Sequence, residues 1–337
     1  MAPPLLAERT CSRTSLVLVA AVVSSACAAS PSLPVTAPAR NAQEAPVVLR
    51  FAWPEGFEAS VSGAEQRTLS SDGNGDTTRD EVAYRLRLEP AAEGAFIRYE
   101  EFALPGPSGG GLIPLRRVPG LERLADLLRP GFAVAEDGRF LGLPGLEATV
   151  DAVNRELDAL HARRDPLPAE APALPTRFSA EIFSRRAPVD WWPMVEMWAG
   201  REIVPGNRYE VDLVTRMPLL EGTVLRMDAE LSVSEFVPCE SDGPPHCVEL
   251  VLESWPDPHE LEPLLAASAD ASRPAAPVAV TRIDLRERVR LLTDPGTLVP
   301  RRLETRQRAR VTVRLPDGST HTDALDRESD LVFHPET

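Results

Sequence analysis

The sequence predicts an α+β fold, mainly β: a curved antiparallel sheet covered by one long helix and one or two short ones. Three observations predict it. Val224 to Glu235 alternates apolar and polar residues without a slip, with Leu225, Met227, Ala229, Leu231 and Val233 on one side. The same period returns near the end, where Ile283, Leu285, Val289 and Leu291 face in against Arg282, Asp284, Arg286, Arg288 and Arg290. Between them lies one stretch of helical period, Leu146 to Arg164, with Leu146, Val150, Val153, Leu157 and Leu160 on a narrow stripe.

Taken in order, residues 1–27 read as a signal peptide. Arg9 and Arg13 precede the apolar run Leu16 to Val23, and small residues Ser24-Ser25-Ala26 lead to Cys27. The run is too short for a permanent membrane span. Residues 28–46 are rich in Ala, Pro, Ser and Thr and form a tether without a core. Residues 47–335 carry the periodic runs and form a β-rich globular domain, with a division into halves 47–175 and 176–335 left open. Val47 to Phe51 begins it. Phe57 to Leu69 is a weakly patterned strand, and Val82 to Leu88 and Gly94 to Leu104 complete a meander. A short helical stripe at Leu121 to Leu128, a turn at Asp137-Gly138 and the long helix follow. The long helix is expected to lie on the sheet as a cover. Asp190 to Trp198 holds three of the five Trp and reads as a core plug rather than an exposed aromatic patch. Val224 to Glu235 and Val248 to Glu253 make a hairpin, and Leu303 to Arg314 and His321 to Phe333 make another across Pro316-Asp317-Gly318-Ser319.

Composition narrows the partners. All 36 basic residues are Arg, and the formal net charge is −15. That argues against a basic nucleic-acid footprint and a polybasic membrane patch. The Arg-rich side of the last strands reads as a solvated face paired with acids across the strands.

Motifs that carry chemistry are thin. Gly106-Pro107-Ser108-Gly109-Gly110 spells a nucleophile elbow, but Pro114 follows where a helix should start. His259-Glu260 opens a zinc-protease pattern that Pro263 ends. Asp72, Asn74, Asp76 and Asp80 stand at positions 1, 3, 5 and 9 of a calcium loop. Thr77 and Ala83 replace its Gly and its bidentate Glu, so a plain hairpin turn is the stronger reading. Cys239, His246 and Cys247 offer soft-metal donors. Neighbours on a strand point to opposite faces, however, and the reading preferred is a Cys239–Cys247 disulfide across the hairpin tip. No cofactor is expected beyond that calcium option.

Small residues running into Cys27 resemble the lipobox of bacterial lipoproteins, in which the Cys is acylated; cleavage after Ala28 is the competing reading. The wider chain resembles a family of uncharacterised bacterial envelope lipoproteins of β-rich build. It does so through Asp137-Gly138 before a helix, Trp198-Ala199-Gly200 leading to Pro205-Gly206, the paired Cys, and Thr293-Asp294-Pro295-Gly296-Thr297-Leu298-Val299-Pro300. The curved sheet is also similar in architecture to lipoprotein-carrier folds. These likenesses imply the fold and an envelope address with an N-terminal lipid in a membrane, and no activity; the function expected is a non-enzymatic binding or scaffolding role toward a protein or an apolar ligand. The alternatives are a periplasmic carrier holding an apolar ligand between sheet and helix, and a hydrolase. A soluble secreted protein is the alternative address.

Overall fold

Alternation becomes strand wherever it was clean. The structure is a computed structural model that describes residues 45–105, 112–117, 121–127, 131–162, 177–186, 190–216, 224–240, 244–257, 259–261, 279–315 and 317–336. Cys27, with all of residues 1–44, lies outside the described residues, as does the Gly106–Gly110 loop.

Val47–Val48 (β1) does not join the main sheet; it pairs later with Glu202–Ile203. Glu58–Ser71 (β2) and Asn74–Ala91 (β3) form a long hairpin that turns at Asp72-Gly73. Both turn residues have positive φ, 49° and 83°, the backbone that an Asp-Gly tip supplies. Gly94–Pro105 (β4) and Leu112–Pro114 (β5) continue the meander. Then come Glu122–Leu127 (α1), Phe132–Val134 (β6), Phe140–Gly142 (β7), Leu146–Ala162 (α2) and Ala180–Arg186 (α3). Glu202–Ile203 is β8, Arg208–Arg216 β9, Val224–Val233 β10, Val237–Pro238 β11 and Pro245–Pro256 β12. Ala279–Thr293 (β13), Pro300–Arg314 (β14) and Thr320–Pro335 (β15) close the chain.

Among the described residues, thirteen strands form one open antiparallel sheet. Its main path runs β7-β6-β4-β3-β2-β15-β14-β13-β12-β10-β9. The pairing of β15 with β2 joins the first part of the chain to the last. The fold is therefore mainly β with a few helices.

The two sheet faces differ as the alternation requires. The outer face carries ions paired across strands. Arg290 bridges Glu249 at 2.5 Å and Glu304 at 3.0 Å, and Arg302 bridges Glu304 at 2.9 Å and Asp330 at 2.8 Å. Exposed pairs of this kind contribute roughly 0–1 kcal/mol each, so they order the face more than they stabilise the fold. The inner face is apolar and is filled by the 191–198 segment. Trp192–Glu196 is a π-helical turn, and Trp191, Met194, Val195 and Trp198 beside it are all 0–1% exposed. Trp191 packs edge-on against Phe51, Trp53 and Phe132 at 5.4–5.5 Å between ring centres.

Gly138, Gly200 and Leu298 are the joints of this plug. Gly138 accepts a hydrogen bond from Trp191 Nε1 at 2.8 Å. A Cβ on Gly138 would come within 2.9 Å of Phe51 and Val195, so only glycine fits. Gly200 N–H donates to Leu49 O, and Trp53 Nε1 donates to Leu298 O at 2.9 Å.

The long helix departs from expectation. Val153 and Leu157 are fully buried, as the stripe requires. Their partners are Leu121 and Leu124, at α1, and Phe178 and Phe183, at α3, in a cluster of their own. Asn154 fixes the arrangement by exchanging two hydrogen bonds with the Phe178 backbone, at 2.9 and 3.0 Å. A stripe this narrow is satisfied by two short helices. The Trp191–Trp198 segment packs into the sheet's main core, whereas α2 packs on α1 and α3 and its cluster meets the sheet at Phe102 of β4.

Candidate functional site

Alternation on the inner face breaks at one level, and it breaks on every central strand. Reading across the sheet, Ala229 of β10 pairs with Ser254, Ser254 with Glu287, Glu287 with Gln307, Gln307 with Arg327, and Arg327 with Arg67. One level along, Val289 pairs with Thr305, Thr305 with Ser329 and Ser329 with Glu65. Apolar rows flank this belt on both sides. Leu285, Ala309, Leu325 and Leu69 lie at one edge; Leu250, Leu291, Leu303 and Leu331 lie at the other. A polar belt inside an apolar face costs desolvation unless its groups find partners.

Most of them do. Gln307 Nε2 donates to Glu287 Oε1 at 2.5 Å. Burial pushes the Glu287 carboxyl above the usual range, and the Gln307 bond only partly opposes it. Arg327 Nε meets Glu65 Oε1 at 2.6 Å. Arg67, directly across from Arg327, makes no ion pair among the described residues, and its enclosed Nε has no hydrogen-bond partner. Two guanidinium groups thus face one engaged carboxylate, and the remaining carboxyl is biased toward its neutral form. A guanidinium with free donors in such a place suits a carboxylate or phosphate.

A second cluster sits at the tip of the β2–β3 hairpin. His321 Nδ1 and Asp72 Oδ2 are 2.7 Å apart; His321 Nε2 is 3.1 Å from Asp323 Oδ1 and 3.2 Å from Ser71 Oγ. Asp72 Oδ1 also accepts the Thr322 N–H at 2.8 Å. Ser, His and Asp connect here as in a hydrolase triad, yet Asp323 competes for the nitrogen that would take the Ser proton. The Asp72 bond raises the His321 pKa, which favours a charged ring over a general base. The cluster is a clasp between β15 and the hairpin.

The residues singled out from the sequence fare differently. Cys239 and Cys247 form a disulfide with Cα atoms 5.1 Å apart. The hairpin does not gather the calcium set: Asp72 is taken by the clasp, and Asn74, Asp76 and Asp80 are spread along β3 opposite Ser71, Leu69 and Glu65. At about 3.3 Å per residue, Asn74 and Asp80 are about 20 Å apart along the strand. The geometric objection to grouping Cys239, His246 and Cys247 fails. Their donor atoms all lie within 4.8 Å of one another, because the imidazole reaches round the strand to Cys239. Glu65, Arg67, Glu287, Gln307 and Arg327 were missed. Each looked like an isolated lapse in its own strand, and only the register shows that the lapses align.

No family model matches the chain, and no curated protein matches it. Among the described residues, no helix is long and apolar enough to cross a membrane.

Proposed function

We propose that the chain is a bacterial envelope lipoprotein, acylated at Cys27, whose inner sheet face binds a ligand through an anionic group held by Arg67. The observation that carries the binding role is the aligned polar belt with one guanidinium left unpaired. The belt selects for an anionic group at Arg67, and the apolar rows on either side of it suit an acid that also carries an apolar part. This supports a non-enzymatic binding role. It moves the apolar ligand of the carrier reading away from α2, whose buried face is already occupied by α1 and α3.

The address rests on Arg9 and Arg13, the Leu16–Val23 run, Ser24-Ser25-Ala26 before Cys27, and the tether 28–46. The Cys239–Cys247 disulfide supports an oxidising compartment. Native mass spectrometry of the protein taken from its own envelope tests the binding role. The wild type should retain an added mass that yields an acid-bearing lipid on extraction, and Arg67→Ala should lose at least about tenfold of it, the loss of one charge-assisted contact. An unloaded wild type, or equal loading of the variant, overturns the reading.

A further inference from the structure

The Cys239–Cys247 bond is not only a staple, because a histidine is held against it. His246 Nε2 lies 3.0 Å from Cys239 Sγ. His246 Nδ1 lies 2.9 Å from the Pro244 carbonyl oxygen. A carbonyl only accepts, so Nδ1 carries a hydrogen, and Nε2 is the nitrogen turned toward the sulfur; without a proton it aims a lone pair there. This is the outer-shell arrangement of a metal-ligating histidine: one ring nitrogen bonded to a carbonyl, the other free and aimed. The donor atoms of Cys239, His246 and Cys247 already lie within 4.8 Å of one another. Cys247 is fully buried and His246 is exposed, so an ion would enter from the histidine side and keep a position open to water.

We infer that in the reduced protein Cys239, Cys247 and His246 form a three-ligand zinc site, with solvent at the fourth position. A dithiol opens the site: one of its thiolates attacks a sulfur, the protein S–S bond breaks, and the dithiol closes to its own disulfide. Two electrons and two protons pass to Cys239 and Cys247. Zinc then displaces both thiol protons to solvent and takes the Nε2 lone pair without displacing a proton. The two states exclude each other, since the same sulfurs either bond one another or bind the metal. The disulfide state ties β11 to β12 covalently; the zinc state ties them through the ion.

The test uses the mature protein reduced with a phosphine, which removes the disulfide without adding a thiol ligand. Cobalt(II), the spectroscopic stand-in for zinc, should bind one equivalent and give a thiolate-to-cobalt charge-transfer band. That band should vanish on adding zinc and be absent from the oxidised protein. His246→Ala, which keeps both cysteines and folds with its disulfide closed, should bind cobalt at least about tenfold more weakly after reduction. Zinc should also slow alkylation of the two thiols in the wild type more than in His246→Ala. Equal cobalt affinity in the two proteins would reduce the site to a bare dithiol and overturn the inference. Binding without the charge-transfer band, or equal binding by the oxidised protein, overturns it as well.

Discussion

At the scale of single residues, His321 shows how an exposed cluster acquires a pH range. The bond to Asp72 raises its pKa above 6.5, partial burial opposes this, and the charges of Asp323 and Asp72 add to it. A raised histidine contributes stability that is complete below 6.5 and is lost as pH rises through its folded value. Asp72 runs the other way. The Thr322 N–H and then His321 lower its pKa below 3.8, so its contribution holds above 3.8 and is lost as pH falls through its folded value. The clasp is therefore complete between those limits. In an NMR titration the His321 ring should titrate above 6.5 in the wild type and return toward 6.5 in Asp72→Asn. Identical titrations in the two proteins would mean that Asp72 does not set the value.

At the scale of elements, the plug around Trp191 decides how the inner face is closed. Its ring is fully buried among Phe51, Trp53 and Phe132, and its Nε1 is the donor to Gly138 O. Trp191→Phe keeps most of the apolar area and strands that carbonyl, a loss of about 1–3 kcal/mol. Trp191→Ala also opens a cavity and should lose about 3–5 kcal/mol. Denaturant midpoints should fall in that order with an unchanged slope; equal midpoints for the Phe variant and wild type would show that the bond contributes nothing. Elements were legible in the sequence in proportion to how strictly they alternate. The Val224–Glu235 run was plain because Leu225, Met227, Ala229, Leu231 and Val233 are all buried and the residues between them are not. The Phe57–Leu69 strand looked weak because Glu65 and Arg67 occupy inner-face positions, and those residues belong to the candidate site. Propensity reads a polar lapse as noise. The partner of α2 was not legible for a different reason: a stripe records that a helix buries one side, not against what.

For the whole molecule, the proposed lipoprotein address would leave membrane attachment to the N-terminus, because the chain is acidic. On the outer face Arg residues bridge acids such as Glu249, Glu304 and Asp330, and the chain as a whole is acidic. Adsorption to an anionic bilayer would therefore be opposed by the net charge. A single acyl chain binds a membrane only marginally, and firm anchoring needs a second chain or an additional signal. In the proposed lipoprotein an acylated and processed Cys27 would supply the chains, and residues 28–46 the reach. Cys27→Ala should accordingly move the protein from the membrane fraction to the soluble periplasmic fraction. The folded part should be unaffected, because the Cys239–Cys247 disulfide does not involve Cys27. Intact mass should show that bond still closed in the released protein. A variant that stays with the membrane, or wild-type protein whose first residue is Ala29, would replace the anchored lipoprotein with one secreted by ordinary cleavage. In the second case Arg67 could still bind its ligand, so address and binding fail separately.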